Sequence, residues 1–196
     1  MEMSTPYLDG VDISPREFYL RLAQCEKLPT TSAPRPTSFI EAFATGAARA
    51  ESVLCLTLLS AVSATNSVAV AAAQAAREAR PGATIEVMDT GTAAGGQGLV
   101  VLAAARAAAA GADLSQVKAE AQRVMQGVHL VAFLDTLHYL WMGGRVPRIA
   151  AWAGSALKLK PMMELRQGVV RPLGWPRTRQ RAMERLLSLV RQSVGD

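Results

Sequence analysis

Two rhythms of apolar and polar positions run along the 196 residues. Val53–Leu59 is a mostly apolar run that breaks into small hydroxyl residues, Ser60, Ser63 and Thr65. An alanine-rich helical stretch follows to about Arg80, before Pro81-Gly82. Thr84–Met88 repeats the pattern as a second strand, ending in Asp89-Thr90-Gly91-Thr92. The next helix opens at Gly95, Gly96 and Gly98, with Gly111 as its stop. Asp113-Leu114-Ser115 starts another, to about Gly127. Strand, polar turn, helix, taken twice, implies a parallel sheet.

Upstream, Ser14-Pro15-Arg16-Glu17 predicts a helix start, with Ile13, Phe18 and Leu22 on its apolar side. Pro34 and Pro36 hold Thr30–Pro36 extended. Thr37 or Ser38 then caps a short helix carrying Phe39, Ile40 and Phe43.

After Gly127 the pattern changes. His129–Leu134 reads as a strand, Thr136–Met142 and Ile149–Leu157 as short helices. Leu159–Leu165 and Val169–Leu173 flank a hairpin turn at Arg166-Gln167-Gly168. Arg177–Val194 closes the chain as an amphipathic helix, apolar at Met183, Leu186, Leu187 and Val190. The fold class is therefore α/β: a parallel-sheet α/β domain, residues 1–127, then a smaller α+β domain with antiparallel strands, residues 128–196.

Composition adds a core of small residues. Half the chain is hydrophobic and only 5% aromatic, so Ala, Leu and Val must fill it. No apolar run is long enough to span a bilayer, and no leader pattern precedes MEMSTPYLDG, so cytoplasm is the expected location. Cys25 and Cys55 lack metal or redox spacing. Net charge is +5, and from Gly143 onward eleven Lys/Arg face three Asp/Glu. That excess suits a solvated face, an acidic partner or an anionic surface. No zinc-finger spacing or RNA-binding aromatic motif supports nucleic acid, and none is expected as a partner.

Candidate chemistry concentrates in the hydroxyls. Thr30-Thr31-Ser32 and the cluster Ser60, Ser63, Thr65 read as two groups converging on one carboxylate, beside a helix N-terminus. Gly143-Gly144-Arg145 offers a guanidinium on a tight turn. The glycines after Thr90 make no dinucleotide fingerprint and carry no P-loop lysine. His129 and His138 read as structural, with no metal set around either. Ser63, His138 and Asp89 could form a hydrolase triad, although no G-x-S-x-G elbow is present. Lys158 and Lys160 share one side of a strand, and Arg177 and Arg179 open the last helix against its dipole.

Asp12–Tyr19, Pro29–Pro34, Leu59–Thr65, Asp89–Thr92 with Gly98, and Thr136–Val146, then Leu157–Met163, Gly168, Arg177-Thr178 and Ala182, together resemble the DegV family of bacterial fatty-acid-binding proteins. The family's T-S-Q-P motif falls on Thr31-Ser32-Ala33-Pro34, with Ala in place of Gln. Its S-x-L-S-G-T motif falls on Ser60–Thr65, with Val62 for Leu and Ala64 for Gly. Its G-G-R-I falls on Gly143–Val146.

The resemblance implies that Thr31 and Ser63 hold a fatty-acid carboxylate, with Ser32, Ser60, Thr65 and Arg145 around it. The tail would lie in an apolar tunnel between the domains. It implies a carrier without catalytic residues, metal or cofactor, which presents a long-chain fatty acid to a fatty-acid kinase catalytic subunit for phospholipid metabolism. The basic C-terminal part would face that partner or, transiently, a membrane surface. Family members begin with a further strand and continue past the last helix, so the sequence reads as a shortened member. The rival readings are a serine acyl hydrolase using Ser63 and a degenerate, non-binding interaction protein.

Overall fold

The structure is a computed structural model describing residues 6–25, 27–145 and 159–194. Its elements, in chain order, are α1 (Pro15–Leu22), α2 (Pro36–Ala47), β1 (Ser52–Thr57), α3 (Thr65–Ala79), β2 (Thr84–Asp89), α4 (Ala94–Ala109), α5 (Leu114–Gly127), β3 (Leu130–Phe133), α6 (His138–Met142), β4 (Met162–Arg166), β5 (Val169–Gly174) and α7 (Arg179–Val194). β1 and β2 pair in parallel, from Ser52 opposite Thr84 to Thr57 opposite Asp89. β3, β4 and β5 form a separate antiparallel sheet in that order. The fold is the expected α/β arrangement followed by antiparallel strands.

The alternation of β1 and β2 sorts the core. Val53, Cys55, Ile85 and Val87 turn to one face and meet Phe39 and Phe43 of α2 and Ala72, Ala73 and Ala76 of α3. Leu54, Leu56 and Met88 turn to the other and meet Val100, Ala104, Val117 and Ala121 of α4 and α5. A sheet covered on both faces explains the near-continuous apolar strands. Alanines at the contact keep the helices close to the sheet with little side-chain ordering cost.

Local signals were mostly kept. Ser14 Oγ accepts from Glu17 N at 3.2 Å and caps α1. Asp113 and Gln116 close a capping box on α5. The β4–β5 connection is a two-residue turn, Arg166 pairing with Val169. Gln167 and Gly168 take φ of 50° and 77°, as a type I′ turn requires.

Several expectations needed correction. α2 begins at Pro36 with Arg35 at the cap, not at Thr37 or Ser38, because proline is already preset for the first helical position. β1 stops at Thr57, and Leu58-Leu59 belong to the loop. β4 starts at Met162, so Lys160 precedes the strand, and its Nζ donates to the Asp135 carbonyl at 3.2 Å. α7 starts at Arg179 and buries Ala182, while Met183, Leu187 and Val190 stay exposed. Ile40 is also exposed. The expected helix at 149–157, and Lys158, lie outside the described residues.

The unfavourable charge at the start of α7 has a structural explanation. Arg179 Nη1 donates to Asp135 Oδ2 at 3.1 Å and its guanidinium lies over the Phe133 ring. Thr178 Oγ1 accepts from Arg181 N at 3.2 Å and supplies the cap. His129 is structural in the same sense, with Nε2 2.5 Å from Glu164 Oε2 on β4. Among the described residues no helix is long and apolar enough to cross a membrane.

Candidate functional site

Parallel strands release both of their following loops at the carboxyl end of the sheet, and here those loops interlock. Leu59 N donates to Thr92 O at 2.8 Å. Ser60 N donates to Asp89 Oδ2 at 3.0 Å, and Gly91 N donates to Asp89 Oδ1 at 2.8 Å. Beneath them Thr90 Oγ1 donates to Thr57 O at 2.8 Å, and Asn66 Nδ2 donates to Thr57 Oγ1 at 2.9 Å. The hydroxyl loop is thus tied at its start, its middle and the first turn of α3.

Ser63 and Thr65 form one arm of the site. Thr65 N donates to Ser63 Oγ at 3.2 Å, and the two hydroxyl oxygens lie 2.8 Å apart. One hydroxyl proton fills that short contact. The other is left for an outside acceptor. Both residues are half-buried, at the opening of α3.

Thr31 and Arg145 form the second arm. The chain reverses through Gly143-Gly144, where Gly144 has φ +70°. Arg145 Nη1 donates to Gly143 O at 2.9 Å, and Nη2 donates to Thr31 Oγ1 at 2.6 Å. A guanidinium only donates, so Thr31 accepts there and keeps its own proton for a further acceptor. Thr31 is exposed, and Ser32 beside it is exposed too.

The structure therefore joins Thr31 to Arg145 and Ser63 to Thr65. Among the described residues no hydrogen bond joins the two arms. Ser60 contributes its backbone N–H, not its hydroxyl, to the Asp89 contact. The triad is not assembled: Ser63 pairs with Thr65, His138 packs its ring edge-on to Tyr139, and both carboxylate oxygens of Asp89 are taken by amides. Sequence reasoning placed Asp89 at a strand end and weighed it as a triad acid, but missed its clamping role. The available signal was an Asp at a strand end followed by Thr-Gly, an Asx-turn pattern.

An apolar cluster adjoins the hydroxyl loop. Leu59, Met163 and Leu165 are its buried centre, flanked by half-buried Val62, Ala93, Leu134, Leu137 and Leu140. It brings the β1–α3 loop against β3, β4 and α6. Gly168 N also donates to Gly91 O at 3.0 Å, so the β4–β5 turn rests on the β2–α4 loop. Two open clefts lie elsewhere. One, of about 590 Å³, is lined by residues including Arg49, Glu51 and Arg80. The other, of about 740 Å³, is lined by residues including Trp175, Arg181 and Arg185. Among the described residues no cluster of His, Cys, Asp and Glu is suited to a metal ion.

Comparison with known proteins gives concordant matches. A family model for uncharacterised proteins of the DegV family matches residues 4–196. A DegV domain-containing protein of Streptomyces coelicolor is 35% identical over 188 residues, which are 95% of this chain and 65% of that protein. A fatty-acid-binding DegV family protein from Thermus thermophilus superposes with a TM-score of 0.83 at 33% identity, covering 95% of this chain and 65% of that one. A stearic-acid-binding protein from Eubacterium ventriosum superposes with a TM-score of 0.86 at 27% identity, covering 95% and 64%. The chain thus spans just under two thirds of the length of the relatives it matches.

Proposed function

The chain belongs to the DegV family, and from that premise we propose that it binds a long-chain fatty acid, with the carboxylate on Thr31 and Ser63. One observation carries this reading: both arms are polarised as donors. Arg145 donates into Thr31 Oγ1, and Thr65 N donates into Ser63 Oγ. Each arm is left with a hydroxyl proton to give, which suits an acceptor-only carboxylate and disfavours an ammonium or amide N–H. Arg145 adds positive charge beside the same head group.

The tail follows the apolar cluster around Leu59, Val62, Leu137 and Leu140, between the parallel-sheet unit (1–127) and the antiparallel unit (128–196). Removing a methylene from water stabilises by about 0.8 kcal/mol, so a long chain gains on the order of 10 kcal/mol. Hydrogen bonds to the charged head contribute about 1.5–3 kcal/mol each. The hydroxyls therefore fix orientation and end-to-end direction more than total affinity. The protein would act as a carrier, presenting the carboxylate to a fatty-acid kinase catalytic subunit, in the cytoplasm.

The test is direct. Delipidated protein titrated with palmitate or oleate should bind one acyl chain per protein and melt at a higher temperature when loaded. Native mass spectrometry of untreated protein should show a co-purifying acyl mass. No bound acyl chain and no stabilisation by either lipid would refute the reading. Ester turnover lost on Ser63→Ala would support the hydrolase instead.

A further inference from the structure

We propose that Asp89 is the positioning residue of the head-group site: it sets the place of Ser63 without touching the ligand. The inference rests on the fatty-acid reading above and deepens it. Asp89 ends β2 and reaches across to the neighbouring loop. Oδ2 accepts from Ser60 N at 3.0 Å, three residues before Ser63, and Oδ1 accepts from Gly91 N at 2.8 Å. The Gly91 carbonyl in turn accepts from Gly168 N at 3.0 Å. One carboxylate thus connects the loop carrying Ser63, the β2–α4 loop and, through it, the β4–β5 turn.

The chemistry demands a carboxylate here. Both partners are donors, and an ionised Asp offers two acceptor oxygens. Asparagine keeps the shape but turns an NH₂ toward one of the two N–H groups. Ser60 and Ala61 are exposed, and the loop's other ties are Leu59 N to Thr92 O, Val62 N to Leu59 O at 3.3 Å, the packing of Val62 on the Leu59 cluster, and the Asn66–Thr57 contact. Thr31 is held from a different direction, by Arg145. The spacing between the two hydroxyl arms is therefore governed by two independent anchors, and Asp89 is the anchor of the Ser63 arm.

The experiment is a double-mutant cycle on the full chain, read as affinity for palmitate, with unfolding followed in parallel. Asp89→Asn should weaken binding about tenfold, since displacement of a positioned group by a fraction of an ångström is felt strongly. Ser63→Ala should weaken it as well. The combined variant should bind within about twofold of Ser63→Ala alone, because Asp89 acts through Ser63. A merely structural role would give losses that multiply. Amide exchange at Ser60 should accelerate in Asp89→Asn while β1 and β2 stay protected. If Asp89→Asn does not fold, Asp89→Ser takes its place in the cycle. Wild-type binding with Asp89→Asn unaffected, or with multiplying losses, overturns this inference alone. A wild type that binds no fatty acid removes the underlying reading, and this inference with it.

Discussion

Arg145 donates from Nη2 to Thr31 Oγ1 at 2.6 Å, across 114 positions of sequence. The contact is solvent-exposed, so its contribution to folding is small. Its use is directional: it assigns the acceptor role to Thr31 and turns the threonine proton outward. Thr31→Val keeps the volume and removes that proton. We expect palmitate affinity to fall about tenfold, with unfolding free energy changed by less than about 0.5 kcal/mol. Calorimetric titration beside urea unfolding checks both halves. Unchanged affinity would remove Thr31 from the head-group site.

Gly91 and Gly168 meet where the β4–β5 turn rests on the β2–α4 loop. Gly91 has φ +63°, and a Cβ there would lie 3.1 Å from Gly168 N. Gly168 has φ +77°, but a Cβ on it meets only Leu59 Cδ1 at 3.9 Å. Gly91→Ala carries backbone strain and a backbone clash, so it should destabilise by about 2 kcal/mol or more. Gly168→Ala carries strain alone and should cost about 1 kcal/mol. Denaturant unfolding of both variants checks the ranking. Equal losses would mean that the two loops separate easily.

The parallel unit was legible because its signals are local and mutually consistent. Val53–Leu59 and Thr84–Met88 read as covered strands, which holds up to Thr57 in the first and through the second, and Ser14 and Asp113 are strong caps. The face of α7 was not legible. Met183, Leu186, Leu187 and Val190 share an apolar arc with Ala182, and the sequence does not say which part of that arc the sheet covers. The structure buries Ala182 and exposes Met183, Leu187 and Val190. The hydroxyls of the site could be nominated from residue type, but their donor polarity could not. It depends on Arg145 and on the Ser63–Thr65 geometry, which are tertiary facts. Asp89 was visible as a strand end and a triad candidate, but its hold on Ser60 N was not.

The acid response of the fold should run partly through α5. Asp113 has its pKa lowered, first by the Ser115 hydroxyl and then by the Gln116 N–H. Glu120 has its pKa lowered, first by its hydrogen bond from Arg123. A lowered folded-state value means the contribution is complete above the ordinary carboxylate range near about 4 and is lost as pH falls through the folded values. Stability should therefore drop as pH falls below the ordinary carboxylate range near about 4. The double variant Asp113→Asn with Glu120→Gln should show a shallower drop, measured by urea unfolding at each pH. An identical slope would place the acid-sensitive groups elsewhere.

Thr92 and Gly96 pose the sharpest packing question. Thr92 is 3% exposed, and its Oγ1 is buried without a hydrogen-bond partner among the described residues. An unmet buried hydroxyl costs about 1–3 kcal/mol relative to an apolar group of the same shape. Thr92→Val should then stabilise the protein by about 1 kcal/mol. A Cβ on Gly96 would run into the same oxygen, with Val128 Cγ1 at 3.1 Å. Gly96→Ala should accordingly destabilise by about 1–3 kcal/mol through overpacking. Thr92→Ala removes the nearest obstacle, so the penalty for Gly96→Ala should shrink in that background without vanishing, since Val128 remains. Urea unfolding of the four proteins in this cycle measures the coupling. Additive effects would mean that Thr92 does not confine Gly96, and a loss on Thr92→Val would mean that the hydroxyl has a partner after all.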